Sequence, residues 1–206
     1  MVDASSPETE MLQLCEKGDY DAAATSILRA YASEIFRFIY ARSRDQDIAS
    51  EAFSQFTEDL WRGLPNFQWK CSARTWAYAV ARHAASRAMH AARKNRLHVP
   101  FSQASEFAKL EQRVRTETLN YMKTEVRGRL EKLRETLADE DQALLLLRVN
   151  RQLSWKDIAQ VVLYDGQEIS AAALNQEAAR LRKRFQLLKE KLRKWSHGDE
   201  SQPSES

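Results

Sequence analysis

The sequence predicts an all-α fold made of two small helical domains joined by a linker. Only five glycines and four prolines occur among 206 residues, a scarcity that disfavours a β fold with many tight turns. Apolar residues recur at helical spacing along most of the chain. Hydrophobic residues make up 43% of the chain and charged residues 30%, so we expect a globular protein and not a disordered one.

Three helical stretches are predicted in the first domain. Residues 8–41 form the first stretch, with a break at Gly18-Asp19. Residues 45–60 form the second, with apolar residues on one side and acidic residues on the other. A loop at residues 64–74 leads to the third helix at residues 75–96, where alanine is so frequent that close packing against a neighbour is expected.

The last part of the chain has the outline of a helix-turn-helix. Asp139 begins a capping-box pattern and predicts a helix that ends near residue 150. Ser154 is the expected cap of a short helix, and Ser170 is the expected cap of a long basic helix at residues 171–194. Two helices joined by a turn, the second strongly basic, are typical of a helix-turn-helix, although this turn is longer than usual.

Composition and periodicity predict three parts of the chain after the first helices. They are a linker with room for one helix (97–125), a second helical domain (126–195) and a disordered polar tail (196–206).

Positive charge is concentrated in two stretches of the sequence. Residues 60–105 contain eight Lys or Arg and no acidic residue, and residues 178–195 contain eight Lys or Arg and one glutamate. The net charge of the whole chain is only +3, so the remaining sequence is acidic. Two basic stretches separated by acidic sequence suggest two contacts with one polyanion. From charge alone, solvated helix faces explain them equally well.

Aromatic residues alternate with basic ones around the predicted loop. Phe67, Trp69 and Trp76 lie close together in the sequence, beside Lys70 and Arg74. Such a mixture suits single-stranded DNA, because exposed bases stack on aromatic rings. Trp76 has a competing interpretation as a core residue that anchors the loop.

Motifs for catalysis and for cofactors are missing from the sequence. No Walker loop, Gly-x-Ser-x-Gly or His-Glu-x-x-His pattern occurs, so we expect neither enzymatic activity nor a cofactor. Cys71, His83 and His90 match no metal-ligand spacing. Two cysteines cannot build a disulfide framework, the N-terminus lacks the pattern of a signal peptide, and no apolar run could span a membrane. A cytoplasmic protein is therefore expected.

Several short motifs follow one another in a characteristic order. They are Asp47-Ile48-Ala49-Ser50-Glu51-Ala52-Phe53, Leu64-Pro65-Asn66-Phe67, Arg74-Thr75-Trp76, Val80-Ala81-Arg82-His83, Ser154-Trp155-Lys156-Asp157-Ile158-Ala159 and Ala173-Leu174-Asn175-Gln176 with Ala179-Arg180-Leu181-Arg182. In this order and spacing, the sequence resembles a bacterial RNA polymerase sigma factor of the extracytoplasmic-function (ECF) type within the sigma-70 family. The resemblance covers about residues 25–95 and 130–195. It implies an N-terminal segment (1–24) ahead of a first helical domain (25–96).

The resemblance implies a transcription initiation factor that binds core RNA polymerase and directs it to promoters. Its first domain would capture the melted strand of a −10-type element with the loop and the helix that follows it. The residues expected in that role are Asn66, Phe67, Lys70, Ser72, Arg74, Trp76, Arg82, His83 and Arg87.

The resemblance also implies two further contacts. The last helix would read a −35-type duplex element, through base edges and through phosphates. The residues expected at base edges are Ser170, Asn175 and Gln176, and those at phosphates are Arg180, Arg182 and Lys183. The helix at residues 45–60 would bind a coiled coil on the largest polymerase subunit, through Asp47, Ile48, Glu51, Phe56 and Asp59. A competing interpretation places Phe56 in the core.

The sequence departs from the family pattern at five of these positions. Ser50, His83 and Arg87 replace residues that are frequent in the first block, and Asn175 and Glu177 stand where basic residues are frequent in the second. A promoter preference therefore cannot be transferred.

Two other functions fit parts of the sequence. One is a stand-alone DNA-binding regulator that uses only the last helix-turn-helix, and the other is a helical interaction protein without a DNA role. An anti-sigma factor is a further partner that the resemblance allows.

Overall fold

The computed structural model of the chain describes residues 7–94, 113 and 137–198, with the backbone alone at residues 150 and 195–198. These residues contain helices and no strand, which confirms the predicted all-α class. The chain divides into two compact units, Met1–Thr136 and Leu137–Ser206. The linker expected at 97–125 and the start of the second domain expected at 126 lie outside the described residues, apart from residue 113.

Four α-helices form the described part of the first unit. They are α1 (Pro7–Glu16), α2 (Tyr20–Ser43), α3 (Gln46–Gly63) and α4 (Ala73–Arg93), with a short 3-10 turn (Leu64–Asn66) after α3. Helices α1 and α2 include most of the N-terminal segment (1–24), and α1 packs on α2.

The helix boundaries of the first unit follow from local capping. The break predicted at Gly18-Asp19 is confirmed, because Gly18 has φ +75° and Asp19 accepts a hydrogen bond from the first turn of α2. Asp45 caps α3 in the same way. Helix α4 begins at Ala73, two residues earlier than predicted, because the Ser72 side chain caps it.

Aromatic side chains from three helices form the core of the first unit. Phe36 of α2 meets Phe53 of α3 edge to face, with ring centroids 5.2 Å apart. Phe38 of α2 meets Tyr78 of α4 in the same manner at 5.3 Å. Edge-to-face rings add attraction to the area that they bury. The buried alanines of α4 let its neighbours approach closely, as the sequence predicted.

The described part of the second unit contains three α-helices. They are α5 (Asp139–Leu145), α6 (Trp155–Leu163) and α7 (Ala171–Gly198), and a π-helical turn (Leu146–Asn150) continues α5. The unit has its own apolar core. Its buried residues include Leu144, Leu147, Ile158, Val161 and Leu181.

Two of the three caps predicted for the second unit are confirmed. Ser154 and Ser170 accept hydrogen bonds from the first turns of α6 and α7, at 3.1 and 3.2 Å. The cap predicted at Asp139 is wrong, because α5 starts at Asp139 itself and the residue in the cap position is Ala138. The Asp139 carboxylate therefore lies in the first turn, where it interacts with the helix dipole.

Helix α7 is longer than predicted. It continues to Gly198, so the first three residues of the expected disordered tail are helical. Residues 199–206 lie outside the described residues. The turn between α6 and α7 covers residues 164–170, which is longer than the usual three or four residues. Gly166 has φ +92° there, a conformation that favours glycine.

Candidate nucleic-acid and polymerase interfaces

The first turns of α3 present a small acidic surface. Asp47 is exposed, while Ile48 and Glu51 are half-buried. The Gln55 side chain donates a hydrogen bond to Glu51 Oε1 at 2.7 Å. Asp47 and Glu51 lie one turn apart, where like charges repel mildly. A partner that brought positive charge to this surface would relieve that repulsion.

Phe56, which was predicted to face the polymerase, lies in the core. Only 1% of the residue is exposed, and its ring lies 5.6 Å from that of Phe53. Burial of this kind favours the competing interpretation, in which Phe56 holds α3 in place. The apolar area that α3 offers to a partner then comes from Ile48.

An ion pair connects the predicted polymerase face to the predicted DNA face. Arg87 of α4 donates a hydrogen bond to the carboxylate of Asp59 on α3. The two side chains remain 52% and 36% exposed. A pair so open to water contributes at most about 1 kcal/mol to stability. Either side chain can therefore exchange this contact for one with a partner at little cost.

The aromatic loop (residues 64–72) connects α3 to α4 and carries a stack of rings. Phe67 is half-buried, and its ring lies parallel to that of Trp76, with centroids 4.5 Å apart and an interplanar angle of 14°. Trp69 touches Phe67 from another side at 4.9 Å. Only 2% of Trp76 is exposed. The core interpretation of Trp76 is favoured, and Phe67 is the ring of this pair that reaches the surface.

Trp69 has an uncommon backbone conformation. Its φ is +55°, in the left-handed region that bulky residues rarely adopt. Strain of this kind persists only where the surrounding contacts fix the chain, and here the loop is held by the Phe67 and Trp76 rings.

The polar residues predicted to contact DNA in and beside the loop differ in their surroundings. Lys70 and Asn66 are exposed, whereas Ser72 and Arg74 make hydrogen bonds within the protein. The Ser72 side chain accepts a hydrogen bond from the N–H of Thr75 at 3.0 Å and so caps α4. Arg74 donates two hydrogen bonds to the Glu34 carboxylate, at 2.7 and 2.9 Å. These bonds raise the pKa of Arg74 above its ordinary value, so this residue stays charged.

Helix α4 has one exposed basic face beyond its first turns. Arg82 and His83 are half-buried, whereas Arg87 and His90 are exposed. The buried side of this part of the helix includes Ala84, Ala85 and Ala88. Arg82, His83 and Arg87 thus lie on the outward side of α4. Of the other predicted DNA-contact residues in this helix, Arg74 is held by Glu34 and Trp76 is buried.

Helix α7 presents all of its predicted DNA-contact residues to solvent. The exposed residues are Ser170 in the cap position and Asn175, Gln176, Arg180, Arg182 and Lys183 along the helix. The buried face of the same helix contains Ala178, Leu181 and Leu188. The helical period therefore separates the core-facing and outward-facing residues of α7 as predicted.

Glu177, a departure from the family pattern, is turned away from the exposed face. Only 9% of the residue is exposed, and its carboxylate accepts a hydrogen bond from Arg180 at 3.3 Å. The negative charge of this carboxylate is compensated by Arg180 of the same helix. It therefore does not present an uncompensated negative charge beside the basic residues.

Trp155, at the start of α6, gathers basic side chains around its ring. The guanidinium of Arg148 lies 4.7 Å from the ring centroid, and that of Arg182 lies 5.9 Å away. Phe185 of α7 contacts the same ring edge to face at 5.5 Å. Cation–π contacts of this kind hold guanidinium groups at the surface without removing their charge.

Comparison with known proteins identifies the first unit. Residues 27–96 match the family model of Sigma-70 region 2. This range runs from α2 through α4 and includes the acidic start of α3, the aromatic loop and the basic face of α4. This part of the chain is therefore similar to region 2 of sigma-70 factors.

A curated relative of this chain is also a sigma factor. The chain is 26% identical over 139 residues to the RNA polymerase sigma factor YlaC of Bacillus subtilis (strain 168), an alignment that covers 66% of this chain and 77% of that protein. Both matches support the resemblance to a sigma factor that the sequence motifs suggested. No solved structure matches the chain.

The two matches define the class of activity. They support the function of a transcription initiation factor. Core RNA polymerase and promoter DNA are the partners that such a function implies. Within the described residues, no helix is both long and apolar enough to cross a membrane, and no group of His, Cys, Asp or Glu side chains could hold a metal ion.

Sequence reasoning missed several residues that shape these surfaces. Arg184 of α7 donates hydrogen bonds to Glu140 and Asp141 of α5, each at 2.6 Å, and so ties α7 to α5. The contact of Arg148 with Trp155 was not predicted, because a turn separates the two residues and helical spacing does not relate them. The acidic residues Asp139, Glu140 and Asp141 at the start of α5 were the one sequence signal for the Arg184 contact.

Proposed function

We propose that this sigma factor divides promoter recognition between its two units and binds polymerase through the first. In the first unit, the start of α3 binds the largest polymerase subunit, while the aromatic loop and α4 capture a melted −10-type strand. In the second unit, α7 reads a −35-type duplex element. The observation that carries the proposal is the half-exposed Phe67 ring within the part of the chain that matches Sigma-70 region 2.

Strand capture depends on the support beneath Phe67. A base that leaves the duplex needs a flat surface, and stacking on an aromatic ring contributes about 1–3 kcal/mol per base. Trp76 holds the Phe67 ring from below in a parallel stack. Lys70 and Arg87, which are exposed in the same unit, would supply positive charge for the phosphates.

Polymerase binding is assigned to the acidic start of α3. Asp47 and Glu51 would meet basic residues of a coiled coil on the largest subunit, and Ile48 would add apolar area. Asp59 is available to the same partner after exchange of its ion pair with Arg87. Phe56 supports this surface from within the core.

Duplex reading is assigned to α7. Ser170, Asn175 and Gln176 carry hydroxyl and amide groups that can pair with base edges in a major groove. Arg180, Arg182 and Lys183 would contact phosphates and fix the position of the helix. The Trp155 ring lies against the Arg182 guanidinium and helps to hold it in place for such a contact.

The remaining assignments follow from this role. A factor that joins core polymerase works in the cytoplasm and needs no cofactor, and an anti-sigma factor is a further partner that would regulate it. The stand-alone regulator is not favoured, because it leaves the region 2 match and its aromatic loop without a use.

In vitro transcription tests the proposed function directly. Bacterial core polymerase is combined with a genomic fragment library, with and without the full chain. We expect the chain to produce new transcripts that start at a discrete set of promoters. Binding of the chain to duplex DNA without any effect on polymerase would overturn the proposal and support the stand-alone regulator.

Phe67→Ala tests strand capture on a promoter recovered in that way. We expect slow opening of the duplex promoter and a much smaller defect on the same promoter with a pre-melted −10 region. Phe67→Tyr keeps the ring and serves as the matched control, with opening close to that of the unchanged protein. Equal losses on duplex and pre-melted templates would contradict the role of Phe67.

A further inference from the structure

Helix α1 reaches the start of α4 through a single carboxylate. Glu8 Oε2 accepts a hydrogen bond from the backbone N–H of Ala73 at 2.8 Å, and Oε1 accepts one from the N–H of Arg74 at 3.3 Å. These are the first two N–H groups of α4, and such groups have no partner within their own helix. The carboxylate also carries the charge that a helix N-terminus favours.

The Glu8 carboxylate is itself held in position from α2. The Tyr31 hydroxyl donates a hydrogen bond to Glu8 Oε1 at 3.1 Å. Burial and the adjacent Glu8 carboxylate raise the pKa of Tyr31 to about 12, so this hydroxyl keeps its proton at neutral pH. Glu34, also on α2, holds the Arg74 side chain by two hydrogen bonds. The first turn of α4 is therefore fixed from two neighbouring helices.

The end that Glu8 caps is the end of the aromatic loop. Ser72 is the last residue of this loop, and Ala73 is the first residue of α4. Trp76, which supports Phe67, follows within the first turn of the same helix. Any tilt of that turn would change the direction of the Phe67 ring.

We propose that α1 acts as a clasp on the aromatic loop, with Glu8 as a positioning residue for promoter opening. The proposal rests on the strand-capture role given above to Phe67. Glu8 lies outside residues 27–96, the part that matches Sigma-70 region 2. In this proposal, Glu8 of the N-terminal segment helps to position the aromatic loop of the matched domain.

Glu8→Gln is the most selective change for this contact. Glutamine has nearly the same shape, but its amide nitrogen cannot accept a hydrogen bond. One of the two N–H groups of α4 then loses its partner. Glu10→Gln is the matched control, since it makes the same substitution at an exposed position of the same helix.

The experiment measures the rate of promoter opening by the full chain with core polymerase. A fluorescent adenine analogue in the −10 element of a promoter recovered from the library reports strand separation. We expect Glu8→Gln to slow opening about fivefold, the effect of losing a typical helix cap. We expect Glu10→Gln to open the promoter at the unchanged rate, and polymerase affinity to stay the same in both variants.

A double substitution separates positioning from general destabilisation. If Glu8 acts through the aromatic loop, adding Glu8→Gln to Phe67→Ala will cause little further loss. If the loss of opening rate in the double variant equals the product of the two single losses, the clasp is overturned. It is also overturned if Glu8→Gln opens the promoter at the unchanged rate while Phe67→Ala opens it slowly. An unaffected Phe67→Ala would overturn strand capture and the clasp with it.

Tyr31→Phe provides a second test that does not depend on the Glu8 variant folding. It removes one hydrogen bond to Glu8 and keeps the ring. We expect a smaller loss of opening rate in the same direction, about twofold, with helix content unchanged. An opening rate equal to that of the unchanged protein would count against the clasp.

Discussion

Trp76→Ala tests whether this ring belongs to the core or contacts DNA directly. Only 2% of Trp76 is exposed, and one face of its ring is covered by Phe67 at 4.5 Å. On another side, a Cβ atom added at Gly63 would lie 3.1 Å from its Cζ2 atom. Truncation of a tryptophan enclosed in this way costs about 3–5 kcal/mol. Loss of the ring stack accounts for about 0.5–1.5 kcal/mol of that total.

Hydrogen exchange read on peptides from α2 to α4 is the suitable assay, because it reports the first unit alone. A loss of about 3–5 kcal/mol corresponds to a fall in protection of two to nearly four orders of magnitude. Trp69→Ala is the matched control. Its ring is half-exposed and makes one tilted contact with Phe67, so we expect a loss below about 1.5 kcal/mol. Unchanged protection in Trp76→Ala, together with failed promoter opening, would refute the core interpretation.

Three further predictions address other surfaces. Charge reversal of Asp47 and Glu51 together should weaken core polymerase binding about tenfold or more with helix content unchanged, and an unaltered affinity in a pull-down would contradict the polymerase assignment. Arg180→Ala and Lys183→Ala should each weaken binding to all promoters alike and reduce the salt dependence by about one unit of slope, whereas a loss confined to one base position would rule out a phosphate role. Because the folded-state pKa of Tyr31 is raised from 10.0 to about 12, its contribution to stability is complete below pH 10 and is lost as pH rises towards 12. Unfolding measured against pH should show this loss in the unchanged protein and less of it in Tyr31→Phe, and equal curves would oppose the prediction.

Local signals made most of the fold predictable from the sequence. A serine followed by a helical pattern gave the starts of α6 and α7, because the capping hydrogen bond joins residues three apart. Gly18-Asp19 gave the break between α1 and α2 for the same reason. The acidic residue chosen as the cap of α5 was wrong by one position. The helix begins at Asp139, and the cap position belongs to Ala138, whose side chain makes no capping hydrogen bond.

The candidate sites were less predictable, because helical periodicity gives the direction of a side chain and not its depth. Phe56 and Trp76 lie on plausible faces of α3 and α4, and the fold buries both. Contacts between distant residues leave no local pattern. Glu8 and Ala73 are 65 positions apart in the sequence, and Asp59 and Arg87 are 28 positions apart. Only the packing of the four helices brings these pairs together.

Burial decides which variants of this protein can be used as tests of binding. The Asp59–Arg87 pair is open to water, so removal of either charge alters stability by less than about 1 kcal/mol. A defect in such a variant reflects a lost partner. The enclosed Trp76 ring is different, because its removal changes the support of Phe67 and the fold at once. Loss of promoter opening in Trp76→Ala therefore cannot locate a DNA contact, whereas loss in Arg87→Ala can, and the strand-capture surface has to be mapped from its exposed residues.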